Sequence, residues 1–205
     1  MEKNKTPIDD ALNALKSGQP IIVVDDIDRE NEGDLIISAE MASVENLVFA
    51  MKHARGLMCV PTTKEILERL QIPMMVEKTN DPFETPFTVS MDAITTTTGM
   101  SVHDRLKTIN VLLNENSKPE HVKKPGHLFP LKARQNLLKE RQGHTEAAVE
   151  LMKLIGHKPV AVIIEIMNDD GTMTKGKDMI NYAKKHNLHL IDVKQIYEKV
   201  YNESL

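Results

Sequence analysis

Ten consecutive residues, Asp25-Asp26-Ile27-Asp28-Arg29-Glu30-Asn31-Glu32-Gly33-Asp34, hold six carboxylates and one arginine. Carboxylates this close repel one another, and a hard divalent cation such as Mg2+ or Mn2+ relieves the repulsion through the oxygen ligands it prefers. Gly33 lets the backbone turn tightly beside such an ion. A solvated charged loop has the same composition, and on local grounds alone it is the more ordinary reading.

A second constellation, Arg141-Gln142-Gly143-His144-Thr145-Glu146, opens a predicted helix. Backbone N–H groups and a guanidinium converge there, the arrangement that receives a phosphate. His144 offers a neutral imidazole to a first-row metal; a plain helix start with a partly exposed histidine is the alternative. His127, in Gly126-His127-Leu128-Phe129-Pro130, falls in a segment that reads as loop, where it either swings over a substrate or faces water. Glu165 interrupts an apolar strand. A lone buried carboxylate is costly, so Glu165 is either a working group or a strand-end residue in contact with solvent. Thr95 to Thr98, Gly99, Met100 and Ser101 set hydroxyls and backbone donors ahead of a helix bearing Asp104 and Arg105. They suit contacts to phosphate or sugar hydroxyls, or simply cap that helix. Cys59 reads as a small core residue.

These side chains need elements to hold them. Thr6 with Pro7 predicts the cap of a first helix that buries Ile8, Ala11, Leu12 and Leu15 and ends at Gly18. The runs 21–25 and 34–39 read as strands joined by the charged loop. Val44, Leu47, Val48 and Met51 have helical spacing, 56–61 reads as a strand and 63–70 as a short helix. FTVSMD (87–92) alternates like a strand with one wet face. Ser101 caps the next helix, with Val102, Leu106, Ile109 and Leu113 on its buried side. The stretch 114–131, rich in Pro, Asn and charge, reads as loop. A helix over 145–155, a strand at 160–166, a turn at 168–171, a helix near 178–186, a strand at 188–193 and a closing helix complete the order. Strands that follow one another without a helix between them predict an α+β fold, a three-layer α/β/α sandwich around a mixed sheet.

The 205 residues fit one domain spanning 1–205, with 40% hydrophobic residues for its core. Aromatics are 3% with no Trp, and net charge is -4, so stacking platforms and global attraction to nucleic acid or anionic membrane are lacking. One cysteine excludes an internal disulfide and a cysteine-rich zinc site. The start lacks a signal-like apolar stretch and no run is long enough to span a bilayer, so a soluble cytoplasmic protein is expected.

The segments DDIDRENEGDLI, TTTTGMSVHDR, PGHLFPL, RQGHTEAAVEL and NDDGTM, in that order, resemble the 3,4-dihydroxy-2-butanone 4-phosphate synthase family of riboflavin biosynthesis. The resemblance implies a lyase that converts ribulose 5-phosphate to 3,4-dihydroxy-2-butanone 4-phosphate and formate. It implies that Glu30 and His144 bind a pair of Mg2+ ions, or Mn2+, and that Arg29, Glu30, Asp34, Arg141, Gln142, Gly143, His144, Thr145 and Glu165 hold the substrate. His127 and Glu165 match catalytic positions, and Thr98, Asp104 and Arg105 match the family's threonine-rich loop. A homodimer is implied as well. Two places depart from the family pattern: Ala54 stands where Gly is common, and residues 81–86 lack the usual Gly and Ala. The chain has no cysteine cluster for a following GTP cyclohydrolase II domain, so the stand-alone form is expected.

Overall fold

The computed structural model describes residues 5–202; residues 1–4 and 203–205, on which the readings of the chain's start and end draw, lie outside them. Strands β1 (Ile21–Val24), β2 (Gly33–Ser38), β3 (Cys59–Thr62), β4 (Met91–Ala93), β5 (Val122–Lys132), β6 (Ala161–Glu165) and β7 (Leu190–Asp192) form one sheet in the order β4-β5-β3-β6-β2-β1-β7. β1 runs parallel to β7 and β3 to β5, and the other pairs are antiparallel. The expected mixed sheet is present.

Alternation along β1 explains the layering, because successive strand side chains leave opposite faces. Ile22 and Val24 enter an apolar cluster shared with α2 (Val44–His53), α3 (Lys64–Arg69), α4 (Val102–Leu113) and α6 (Gly176–His186). Ile21 and Val23 enter another, shared with α1 (Ile8–Lys16), α5 (His144–Leu154) and α7 (Val193–Tyr201). Each fully buried Ile, Val or Leu contributes roughly 1.5–3 kcal/mol. No helix among the described residues is long and apolar enough to cross a membrane.

The helix starts follow local chemistry. The Ser101 hydroxyl accepts the Asp104 N–H at 3.2 Å, and Asp192 caps α7 reciprocally with Gln195. At α1 the expectation needs correction: Pro7, in extended conformation, is the N-cap. Thr6 is drawn to the sheet instead, its N–H donating to the Leu190 carbonyl at 2.8 Å and its hydroxyl accepting the Leu190 N–H at 3.2 Å.

Two further corrections concern the segments around His127. Regular pairing over 87–92 starts only at Met91, while Phe87 and Thr88 make isolated bridges; the Thr88 hydroxyl is spent on the Pro130 carbonyl at 2.8 Å. Residues 122–132, read as loop for their prolines and glycine, form β5. Pairing with β3 on one side and β4 on the other overrides those local preferences. The register slips between Met91 and Asp92, whose partners are Leu128 and Lys123. Residues 124–127 are therefore extra, and the bulge carries His127 to Asp92.

Candidate active site

The acidic loop after β1 is folded around Asp25, which is buried. One Asp25 carboxylate oxygen accepts the Arg29 Nη1 at 2.7 Å and the Glu30 N–H at 3.1 Å, and the other accepts the Glu32 N–H at 2.9 Å. Arg29 also pairs with Glu30 at 2.7 Å. Asp25, Glu30 and His144 each bring a ligand atom within 4.8 Å of the others. His144 is 5% exposed, and its Nε2 is buried without a hydrogen-bond partner. Leaving such a nitrogen unpaired costs about 1–3 kcal/mol. Two carboxylates and an imidazole this close together make a donor set that fits a divalent cation. Burial lowers the His144 pKa, while Asp25 and Glu30 pull it upward; the neutral ring is the form that ligates a metal.

A cavity of about 270 Å3 opens over this cluster. Of the sequence-predicted residues, Arg29, Glu30, Asp34, Arg141, His144, Thr145 and Glu165 line it. Gly143 lies under the two guanidiniums: a Cβ there would sit 2.3 Å from Arg141 Nη1 and 3.0 Å from Arg29 Nη2. Both cations thus converge at the N-terminus of α5, where an anion is favoured. Gln142 is exposed and does not line the cavity. Arg141 is braced by Glu146, 0% exposed, at 2.6 Å and by the Phe83 carbonyl at 3.0 and 3.1 Å. The Arg29 guanidinium lies 5.6 Å from the centre of the Phe83 ring. In that same loop Glu84 has φ +50°, a left-handed conformation that glycine adopts freely. The Glu84 side chain pairs with Arg134 at 2.8 Å.

The cavity's acids are unusual. Burial pushes the Asp34 carboxyl well above the ordinary range, with Glu165, Glu30, Asp25 and Glu32 adding to it. Burial also raises Glu32, against the pull of Lys175. The Cys59 thiol is driven upward by burial and by Glu165 and Asp34, so it faces the cavity in its neutral, weakly nucleophilic form. Glu165 accepts the Leu57 N–H at 2.7 Å.

Arg105 and His127 line a different cavity of about 420 Å3, with Leu57, Met100 and Ile164. Among the described residues none lines both; Ile163 faces the first and Ile164, on the other side of β6, the second. Asp104 lines neither. It is turned inward, accepting the Thr97 hydroxyl at 2.6 Å, the Thr97 and Gly99 N–H groups at 3.1 Å each, and Lys107 at 3.0 Å. The Thr97 hydroxyl, ahead of Lys107 and the two amides, holds its carboxyl far below the usual range. Thr98 is exposed on the loop that Asp104 ties.

Reading the sequence left Asp92 out of these clusters, and it named Asp25 and Glu146 within their charged runs without giving either a role of its own. Asp25 ends an apolar strand, Asp92 is the last polar residue of an alternating run, and Glu146 sits in the first turn of α5. Each had a signal, but none in the residue type alone.

A sequence model of the 3,4-dihydroxy-2-butanone 4-phosphate synthase family matches residues 9–199. The chain is 50% identical over 191 residues to the riboflavin biosynthesis protein RibBA of Staphylococcus aureus (strain COL), covering 93% of this chain and 49% of that protein. It is 49% identical over 186 residues to the RibBA of Staphylococcus epidermidis (strain ATCC 12228), covering 91% and 47%. The chain therefore spans about half the length of these curated relatives. Among solved structures, a 3,4-dihydroxy-2-butanone 4-phosphate synthase in complex with two magnesium ions superposes with a TM-score of 0.91 at 39% identity, over 96% of this chain and 97% of that one. The synthase of Candida albicans gives a TM-score of 0.87 at 45% identity, over 96% and 98%.

Proposed function

The chain belongs to the 3,4-dihydroxy-2-butanone 4-phosphate synthase family, and we propose that it is a single catalytic domain converting ribulose 5-phosphate to L-3,4-dihydroxy-2-butanone 4-phosphate and formate for riboflavin synthesis. The observation that carries this reading is the meeting of Glu30, Asp25 and the unpartnered Nε2 of His144 beneath the converging Arg29 and Arg141. A phosphate fits the guanidiniums and the N–H groups opening α5, with Gly143 leaving room for the two guanidiniums to approach that helix end and Thr145 lining the same cavity. Glu30 and His144 would hold a pair of Mg2+ ions, or Mn2+; a structure similar to this chain contains two magnesium ions. Bound there, such cations supply Lewis-acid stabilisation of negative charge on substrate oxygens.

The chain's own groups then have separable tasks. Asp34, kept toward its protonated form by burial, can donate a hydrogen bond to a sugar oxygen. Glu165 and His127 move protons as the carbon next to the ketone loses its hydrogen, water departs, the skeleton shifts, and a water adds back at C4 before C4 leaves as formate. Phe83 covers the phosphate-binding arginines and limits water. Substrate and products balance without an external oxidant or reductant.

We further read the chain as a homodimer of the cytoplasm. His127 and Glu165 are assigned to one reaction yet line separate cavities, so a second copy that joins the two cavities would complete each site. Leu57, Ile94 and Met100 are exposed apolar side chains, Leu57 and Met100 on the His127 cavity itself, as a buried contact between copies requires. The decisive assay supplies ribulose 5-phosphate with and without Mg2+ and follows formate. Mg2+-dependent formate with a four-carbon phosphate supports the proposal, and a rearranged pentose without formate overturns it.

A further inference from the structure

Asp92 is 2% exposed, and both of its carboxylate oxygens go to His127. Oδ1 accepts the His127 backbone N–H at 2.9 Å, and Oδ2 lies 2.9 Å from the ring Nδ1. Two glycines make room for the pair. A Cβ on Gly99, whose φ is +86°, would fall 2.0 Å from Asp92 Oδ2 and 2.7 Å from His127 Nδ1. A Cβ on Gly126 would fall 2.1 Å from the Met91 carbonyl carbon and 2.3 Å from the Asp92 nitrogen. The threonine-rich loop and the bulge of β5 thus press on Asp92 from two directions. The far side of the imidazole is open: the His127 side chain is 46% exposed and shares its cavity with Arg105.

We propose that Asp92 is a positioning residue for the reaction, fixing His127 as the tautomer with hydrogen on Nδ1 so that the Nε2 lone pair is presented to the cavity. A carboxylate accepts only, so a neutral ring bonded to it through Nδ1 must carry its hydrogen there. When Nε2 takes a proton from substrate the ring becomes an imidazolium, which Asp92 stabilises, and returning that proton restores the neutral ring. No further reactant is required. The proposal rests on the reading of His127 as a proton-transfer residue. A merely structural Asp92 would need only the bond to the backbone N–H.

The variant Asp92→Asn separates the two roles. Its amide oxygen can still accept the His127 N–H, while its NH2 group faces Nδ1 and selects hydrogen on Nε2. Asp→Asn exchange behind a catalytic histidine lowers kcat by up to about 10⁴-fold when it selects the wrong tautomer. We expect a fall in kcat of about 10²- to 10⁴-fold with KM changed less than about threefold, and recovery to within about tenfold of wild type in Asp92→Glu. In protein labelled with 15N-histidine, with His127→Ala to assign the resonance, His127 should show Nδ1–H in wild type and Nε2–H in Asp92→Asn. Hydrogen on Nε2 in the wild-type protein, or a folded Asp92→Asn whose kcat is unchanged, overturns the proposal. If Asp92→Asn does not fold, the wild-type spectrum and the Asp92→Glu rates decide. Wild-type turnover by His127→Ala would instead overturn the catalytic reading of His127, and with it the catalytic part of this proposal, whichever tautomer is seen.

Discussion

Asp34 on β2 and Glu165 on β6 stand directly opposite each other in the sheet. Residues so paired have Cβ atoms about 4.5–5.5 Å apart, and Asp34 is buried. Burial first, then Glu165 and the acidic loop, raises its pKa. An acid whose folded-state pKa is raised holds its proton more tightly in the native state than in the unfolded chain. Folding stability therefore declines as pH climbs above the unfolded value of about 3.9, until the folded-state pKa is passed. Asp34→Asn removes this penalty. In metal-free buffer its Tm should equal wild type near about pH 3 and exceed it near about pH 7, with the gap widening as pH rises between them. Turnover should be largely retained, because the asparagine NH2 donates the hydrogen bond assigned to the protonated Asp34 carboxyl. A Tm gap that stays constant or narrows with rising pH would contradict the assignment.

Gly56, just before β3 and bonded through its N–H to the Glu165 carbonyl at 3.0 Å, is equally constrained. A Cβ on Gly56 would lie 2.3 Å from Glu165 Oε2 and 2.6 and 2.7 Å from its backbone oxygen and nitrogen. Gly56→Ala must therefore push Glu165 aside, and overpacking of this kind costs about 1–3 kcal/mol. Thermal unfolding should report that loss, and kcat should fall at least about tenfold because a misplacement of about 1 Å in a reacting group is enough. An alanine variant with wild-type kcat would show that Glu165 tolerates displacement.

Glu30→Gln and His144→Ala should abolish formate release under saturating Mg2+ while far-UV circular dichroism stays native. Mg2+ stabilises any protein that binds it only in the folded state, by about 2.7 kcal/mol at a hundredfold excess over Kd, and raises its Tm accordingly. That Tm rise should vanish in both variants. Asp25→Asn tests the third member of the cluster: because Asp25 also folds the acidic loop, it should lose both the Mg2+ response and some stability in the absence of metal. Near-normal turnover in Glu30→Gln or His144→Ala removes the metal assignment.

The first site was legible in the sequence because its parts are local runs. The acidic loop follows an apolar strand, RQGHTE opens a helix, and both sat where strand and helix patterns predicted. Asp25 was hidden because its importance lies in accepting backbone N–H groups, a property that any loop aspartate shares. The His127 region was misread for a different reason. Pro125, Gly126 and Pro130 argue locally for a loop, whereas β5 exists through pairing with β3 and β4, strands distant in sequence. The same long-range register slip created the contact between Asp92 and His127, so no pattern within either segment could announce it. Asp104 shows what residue type alone does not reveal: its oxygens accept from Thr97, Gly99 and Lys107 and tie the threonine-rich loop.

The separation of His127 from Glu30 and His144 makes the dimer reading testable by mixing. His127→Ala and His144→Ala should each be inactive alone. If each site draws the His127 cluster from one copy and the metal cluster from the other, a heterodimer of the two variants holds one intact site and one doubly damaged site. Random exchange in an equimolar mixture makes half of the dimers mixed, so roughly a quarter of wild-type activity should return in a two-fold symmetric assembly. Exchange is needed, and it can be driven by brief partial denaturation and refolding of the mixture. Sedimentation should show a dimer at working concentration throughout. If both clusters act within one chain, the mixture remains inactive however completely the subunits exchange, because no chain then carries both His127 and His144.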